Sequence, residues 1–147
     1  MDGKKAAYMG GTFSAYTSSK GPVEGKLDTS RTDVLLLTPE EKDFRGTVLT
    51  IPYDQVLDLE YGQKAGRRVG AAIGTSILLG PIGLVTLFSK KRKHFLTIGY
   101  RDAEGFDQVA VIELGKDIVR TTLAIVETRS GKKIEFQDDE ARKAGRG

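Results

Sequence analysis

Seven cations are the residues best placed to do chemistry in this sequence, because they lie on either side of one uncharged run. Residues 69–89, VGAAIGTSILLGPIGLVTLFS, contain no charged side chain. Lysine and arginine bind phosphates and other anions, whereas large apolar side chains leave water favourably. The arrangement predicts that an anionic lipid headgroup binds beside an apolar anchor. The predicted anion contacts are Lys64, Arg67, Arg68, Lys90, Lys91, Arg92 and Lys93.

The uncharged run supplies the anchor in this prediction. Transfer of one large apolar side chain out of water is worth about 1.5 to 3 kcal/mol, so part of the run is enough for peripheral membrane binding. The same side chains must be covered in solution, since an exposed apolar patch of this size would aggregate. The predicted apolar contacts are Ile77, Leu78, Leu79, Ile82, Leu84, Val85, Leu87 and Phe88.

The run is long enough to cross a membrane, but three features predict a hairpin instead. As one helix, residues 69–89 would measure about 31 Å, close to the thickness of the hydrocarbon core. Gly80-Pro81 breaks such a helix in its middle, and basic flanks on both sides give the positive-inside rule no preferred orientation. Strand patterns before Gly62 and after His94 also predict one barrel, which requires both ends of the run on the same side of a bilayer.

Glycines recur every four residues where the run begins, and on a helix they would form one bare face. Two backbones can approach closely along such a face, as in a glycine zipper. The pattern predicts that a second helix or a second copy of the chain packs against Gly66, Gly70 and Gly74. Gly62 shares the spacing, and in the alternative Gly62 and Gly66 belong to the loop that leaves the preceding strand.

The rest of the composition predicts no catalytic or metal-binding site. The chain has no Cys and a single His, His94, which removes thiolate nucleophiles and thiolate metal ligands and nearly excludes a Ser-His-Asp triad. The acidic groups Glu40-Glu41 and Asp138-Asp139-Glu140 lie in polar, turn-like stretches and are interpreted as solvated surface charge. We therefore predict a non-enzymatic protein with no cofactor and no metal.

Hydrophobic periodicity predicts β-strands in most of the remaining chain. Leu57, Leu59 and Tyr61 alternate with acidic residues, which is typical of a half-buried strand with these three side chains on one face. Val109 and Val111 alternate with apolar residues of the opposite face, so both faces of their strand are predicted to be partly covered.

The predicted elements make a mainly β fold with one C-terminal α-helix. Gly105 suits the turn of a hairpin, and Gly131 suits the end of the helix. The predicted strands are 34–37, 47–51, 57–61, 95–100 and 107–114, with weaker strands near Leu27 and at 132–136, and the helix covers 118–126.

A family resemblance rests on two segments of the sequence. The segment 51–62, IPYDQVLDLEYG, is followed by a strand hairpin and then by 114–118, LGKDI, which opens the helix. This pattern resembles the bacterial pleckstrin-homology-like and GRAM-like domains. The resemblance implies an antiparallel barrel or half-barrel with a terminal helix that binds lipids, peptides or partner proteins, and it carries over no catalytic residues.

The predicted domain organisation has three parts. Residues 1–22 form an N-terminal extension, residues 23–136 form the pleckstrin-homology-like domain with residues 64–93 as its insertion, and residues 137–147 form a charged tail. The first residues lack the apolar core of a secretory signal, so we expect a cytoplasmic protein that reaches the inner face of the membrane.

Three kinds of partner are weighed for the insertion. The first is an anionic membrane, bound peripherally. The second is protein, because the insertion could pack as a soluble helical hairpin on its own barrel or on another subunit of a homo-oligomer. Nucleic acid is disfavoured, since single-strand binders interleave aromatic residues with their cations, whereas here only Phe88 and Phe95 flank the second group. The net charge of +3 suits an anionic partner without requiring one.

Overall fold

The computed structural model describes residues 3–16, 22–64 and 94–146, and the strands in these ranges form one sheet. The strands are β1 (Ala6–Gly11), β2 (Val23–Asp28), β3 (Val34–Pro39), β4 (Leu49–Pro52), β5 (Val56–Gly62), β6 (Phe95–Arg101), β7 (Asp107–Leu114) and β8 (Ile134–Phe136). The described α-helices are α1 (Val119–Ser130) and α2 (Asp139–Arg146). The predicted strands and helix are confirmed, with ends that differ by a few residues.

The order of the strands makes the sheet curl. Neighbours follow the order β4-β3-β2-β1-β7-β6-β5-β8, antiparallel throughout except for the parallel pair of β5 and β8. In a flat sheet, the six strand spacings from β4 to β5 would separate them by about 29 Å. The chain joins them through the single 3₁₀ turn Tyr53–Gln55, which lets Pro52 and Val56 lie at most about 14 Å apart. The sheet therefore bends into a half-barrel.

The inner face of the half-barrel holds the main core. Leu59, Leu96 and Ile98 come from neighbouring strands and are fully buried there. Helix α1 packs against the same core through one of its faces, and it ends at Gly131 with a φ of 72°, the left-handed conformation predicted for this glycine. The core residues of α1 are Val119, Leu123 and Val126. The prediction of a mainly β fold with a C-terminal helix is confirmed.

The N-terminal segment belongs to the sheet and is not an extension. β1 pairs with β2 on one side and with β7 on the other, so Ala6–Gly11 lies in the middle of the strand order. The predicted domain boundary at residue 23 is corrected to include this strand. Its residues Ala6, Ala7, Tyr8 and Met9 are all buried. Because both faces are covered, the segment lacks the alternation of apolar and polar residues by which the other strands were recognised.

The predicted charged tail contains a short helix instead. The carboxylate of Asp138 accepts a hydrogen bond from the N–H of Ala141 (2.7 Å) and so caps the first turn of α2. Ala141 and Gly145 are buried, and a Cβ at Gly145 would crowd Phe136 and Leu123. The helix was missed because it buries only small residues, whereas sequence periodicity is carried by large apolar ones.

A β-bulge in β5 changes which side chains face the core. The register of the pairing with β6 shifts between Val56 and Asp58, and Leu57 is the extra residue of the bulge. Val56, Leu59 and Tyr61 are buried in the main core, while Leu57 is half-buried. The inward placement predicted for Leu57 is therefore wrong, and that of Leu59 and Tyr61 is confirmed.

Candidate functional site

The two ends of the insertion emerge side by side from the sheet. β5 and β6 are antiparallel neighbours, and Gly62 at the end of β5 is paired with Phe95 at the start of β6. Adjacent strands lie about 4.7 to 4.9 Å apart, so the chain leaves at Lys64 and returns at His94 along the same edge. A hairpin insertion with both of its ends on the same side of a bilayer requires this placement.

The departing end is fastened by the side chain of Gln137. Its amide nitrogen donates hydrogen bonds to the backbone oxygen of Lys64 (2.9 Å) and to Glu60 Oε2 (2.7 Å), while its amide oxygen accepts one from the Lys64 N–H (3.3 Å). The amide thereby binds the backbone of Lys64 as a further strand would. It lies across Gly62, where any Cβ would overlap it. Since Gly62 is the last residue of β5, it belongs to a strand rather than to a glycine face on a helix.

The returning end is fastened by His94. Its imidazole Nδ1 is hydrogen-bonded to the hydroxyl of Tyr61 at 2.6 Å, and the two rings are stacked with their planes 9° apart. The backbone oxygen of His94 accepts a hydrogen bond from the N–H of Leu114 at 2.7 Å, which extends the pairing of β6 with β7 by one residue. Both ends of the insertion are therefore held firmly on the sheet.

Replacing Gln137 with alanine is expected to loosen the departing end without unfolding the domain. The substitution removes three hydrogen bonds, and we expect it to lower the free energy of unfolding by about 1 to 2 kcal/mol. Hydrogen exchange at the Lys64 amide should accelerate by about tenfold, because local opening at strand ends needs little free energy. Gln63→Ala is the matched control, since it removes the same group where the described residues offer no partner. Equal exchange rates in the two variants would contradict a fastening role for Gln137.

Most of the predicted contact residues lie outside the described residues, and Lys64 is the exception. Lys64 is exposed at the edge from which the insertion departs. The predicted anion contacts outside the described residues are Arg67, Arg68, Lys90, Lys91, Arg92 and Lys93. The predicted apolar contacts there are Ile77, Leu78, Leu79, Ile82, Leu84, Val85, Leu87 and Phe88, and the predicted packing glycines there are Gly66, Gly70 and Gly74.

A second buried apolar cluster lies on the outer face of the sheet, beside the insertion ends. It consists of Ala7, Met9, Phe95 and Val111, and is separate from the main core. Val111 is fully buried although it points away from the inner core. Partial cover of this face of β7 was predicted from the alternation of its residues, whereas Ala7 and Met9 were missed because β1 was not recognised as a strand.

An open groove of about 370 Å³ lies at the far end of β6 and β7 from the insertion. Its wall includes Leu49, Tyr100 and two carboxylates, Asp102 and Glu104. The described charged residues in the lining are thus acidic, which does not suit an anionic ligand.

The polar groups of this groove serve mainly to hold its shape. The Asp102 carboxylate accepts hydrogen bonds from the N–H groups of Phe106 (2.9 Å) and Glu104 (3.0 Å) and from the Gln108 amide (2.7 Å). These bonds, first of all the one from Phe106, hold the pKa of Asp102 below its usual range. Burial raises the pKa of Tyr100 well above its usual range, so its phenol stays protonated at neutral pH.

Within residues 3–16, 22–64 and 94–146, no helix combines the length and the apolar character needed to span a bilayer. Within the same ranges, His, Asp and Glu side chains form no cluster of three or more that could hold a metal ion.

Comparison of the chain with protein-family models, with curated proteins and with solved structures finds no match in any of the three.

Proposed function

We propose that this protein is a non-enzymatic, pleckstrin-homology-like binding module that associates peripherally with anionic membranes through its insertion. The observation that carries the proposal is the pairing of Gly62 with Phe95, which brings both ends of the insertion to one edge of the sheet. The order of antiparallel strands followed by a helix across the half-barrel also supports the family resemblance. In this function the uncharged run is the apolar anchor, and the flanking cations bind lipid headgroups.

The placement of the insertion ends concentrates the flanking cations at one edge. Arg67 and Arg68 follow Lys64 within four positions, and the second basic group directly precedes His94. A chain of four residues reaches at most about 14 Å, so all seven cations attach close to the paired ends. A cation near an anionic membrane surface contributes on the order of 1 kcal/mol. Several cations at one edge therefore suit a flat anionic surface better than a small anionic ligand.

Flotation with vesicles tests this function directly. The intact protein is expected to float with vesicles of phosphatidylcholine and phosphatidylserine, and less with phosphatidylcholine alone, because headgroup attraction adds to the apolar anchor. A variant in which residues 69–89 are replaced by a short Gly-Ser linker keeps all seven cations and should remain in the pellet fraction with both. Because Gly62 and Phe95 are already paired, a short linker can close the hairpin of β5 and β6. Equal flotation of the two proteins would rule out the apolar anchor.

The second candidate function is that of a soluble interaction or homo-oligomerisation domain. In it the uncharged run packs against protein rather than lipid, and its large apolar side chains are the feature that makes such packing favourable. A protein of this kind would not float with either vesicle composition. Sedimentation of the intact protein would then distinguish a homo-oligomer from a monomer whose insertion contacts only its own chain.

A further inference from the structure

The groove at the far end of β6 and β7 contains a buried hydroxyl without a hydrogen-bond partner. Tyr100 lines this groove and is only 4% exposed. Among residues 3–16, 22–64 and 94–146, no group forms a hydrogen bond with its phenol oxygen. Buried polar groups in folded proteins are usually hydrogen-bonded. The partner of this hydroxyl must therefore enter through the groove.

Two carboxylates accompany this hydroxyl in the groove wall. Tyr100 and Gln108 are directly paired across β6 and β7, so their side chains lie on the same face of the sheet. The Gln108 amide donates a hydrogen bond to Asp102 Oδ2 at 2.7 Å, and the charge of Asp102 acts on the phenol. Glu104, in the same turn as Asp102, adds the second carboxylate to the lining. The groove therefore offers negative charge beside the unpaired hydroxyl.

Both carboxylates retain the capacity to bind a cation. An ionised carboxylate has about four acceptor positions. The described partners of Asp102 fill three of them, since Oδ1 accepts from two backbone N–H groups and Oδ2 from Gln108. The Glu104 carboxylate forms no ion pair with any described residue. Arg101, the cation next to this turn, is paired with Asp107 at 3.3 Å instead.

We propose that this groove binds a primary ammonium group carried on a short apolar stem. An ammonium group has three N–H donors, and oxygens of Tyr100, Asp102 and Glu104 are available as three separate acceptors. This arrangement suits an ammonium better than a guanidinium, which prefers two parallel bonds to one carboxylate. The hydrogen bonds within the turn fix Asp102 before the ligand arrives, so little ordering is required on binding.

The rest of the groove suits the apolar stem. Phe13, Leu49 and Pro52 contribute apolar surface to the lining. The volume of about 370 Å³ lies near the lower end of the range of small-molecule sites, about 300 to 1,000 Å³. A free alkylamine and the lysine side chain of another protein present the same chemistry to this groove. The inference goes beyond the proposed function, because the groove lies at the opposite end of β6 and β7 from the insertion.

Titration of the full-length protein followed by NMR tests the site, with pentylamine and pentanol as matched probes. Their stems have the same length, but only pentylamine is charged at about pH 7. At low salt, pentylamine should bind at least about tenfold more tightly, because charge-assisted hydrogen bonds are the stronger ones. It should also shift the backbone amide signals of Ala103 and Gln108. Equal affinities, or shifts confined to other parts of the sheet, would overturn the proposal.

Two substitutions identify the acceptors. Tyr100→Phe removes only the hydroxyl and should weaken pentylamine binding by about fivefold or more. Glu104→Gln should weaken it by about threefold, because attraction between exposed charges is smaller. The matched control Glu135→Gln, at an exposed position of β8, should bind like the parent protein. Parent-like binding by both groove variants would refute the assignment, and the exposed Glu104 keeps the test decisive if Tyr100→Phe fails to fold.

The source of the ammonium group is identified with Nα-acetyl-lysine methylamide. Affinity equal to or above that of pentylamine would indicate the lysine side chain of a partner protein, whereas lower affinity would indicate a free amine. Binding of neither probe would overturn the proposal. Vesicle flotation is measured separately, so loss of membrane binding and loss of ammonium binding are distinguishable.

Discussion

Aspartate at both Leu79 and Ile82 is expected to abolish the binding of the intact protein to anionic vesicles, even at low salt. Each substitution removes an apolar side chain worth about 1.5 to 3 kcal/mol on transfer and places a carboxylate where lipid is proposed to lie, at an added cost of about 2 kcal/mol or more. Together these losses predict a fall in affinity of more than about a thousandfold. The seven cations remain, but they have no apolar anchor behind them.

Flotation over a salt series measures this loss and separates it from a charge effect. The matched control is Thr38→Asp with Thr50→Asp, which adds the same two charges at exposed positions of the described sheet. Replacing the four cations at 90–93 by glutamine is expected to weaken binding less and to flatten its salt dependence, because surface attraction is screened beyond about 8 to 10 Å. Vesicle binding by the double aspartate variant at low salt would show that charge alone holds the protein.

Stability is expected to fall steeply between pH 10 and pH 12, because two tyrosines are buried in their neutral form. Burial raises the pKa of Tyr8 to about 12, and it also raises that of Tyr100. In the unfolded chain these phenols ionise near pH 10. The stabilisation is therefore fully present below pH 10 and is lost as the pH rises towards the folded-state values. For Tyr8 alone the loss amounts to about 3 kcal/mol, since one pKa unit corresponds to about 1.4 kcal/mol.

Urea unfolding at a series of alkaline pH values measures this dependence. Each phenol that ionises only in the unfolded state should add about 1.4 kcal/mol of destabilisation per pH unit. Tyr8→Phe and Tyr100→Phe should each make the slope shallower, although Tyr8→Phe also removes the acceptor of the Phe13 N–H (3.1 Å). Stability that stays level from pH 9 to pH 12 would show that water reaches both hydroxyls freely.

Local patterns in the sequence predicted strands in which large apolar residues alternate with others. β4 was recognised because Leu49 and Ile51, which are buried, alternate with the exposed Thr50, and β6 was recognised by the spacing of its large apolar residues although both of its faces are buried. β1 was missed because Ala6 to Met9 are buried on both faces and two of them are small. The C-terminal helix α2 was missed because Ala141 and Gly145, which it buries, are small. Its Asp138 cap was a signal in the sequence that had been interpreted only as surface charge.

The position of the candidate site was predictable from the sequence, but the side-chain hydrogen bonds that hold the ends of the insertion were not. Charge distribution around residues 69–89 located the insertion, and strand patterns on both sides predicted that its two ends lie on the same side of one barrel. Gln137 could not be predicted, because it meets Lys64 only after β8 has paired with β5. The bulge at Leu57 was equally hidden, since an extra residue in one strand is set by its partner.

The central position of β1 affects the order in which the sheet can fold during synthesis of the chain. β1 can pair with β2 as soon as both have left the ribosome, but Ala6 also pairs with Leu114, which is made about a hundred residues later. Strands β1 to β4 form one local meander and β5 to β7 another, and the ladder between β1 and β7 joins them. Such distant pairing is slow, because a long loop must close first. Until β7 arrives, the nascent chain exposes an unpaired edge of β1, and this edge is where a chaperone or a second nascent copy would first find a template.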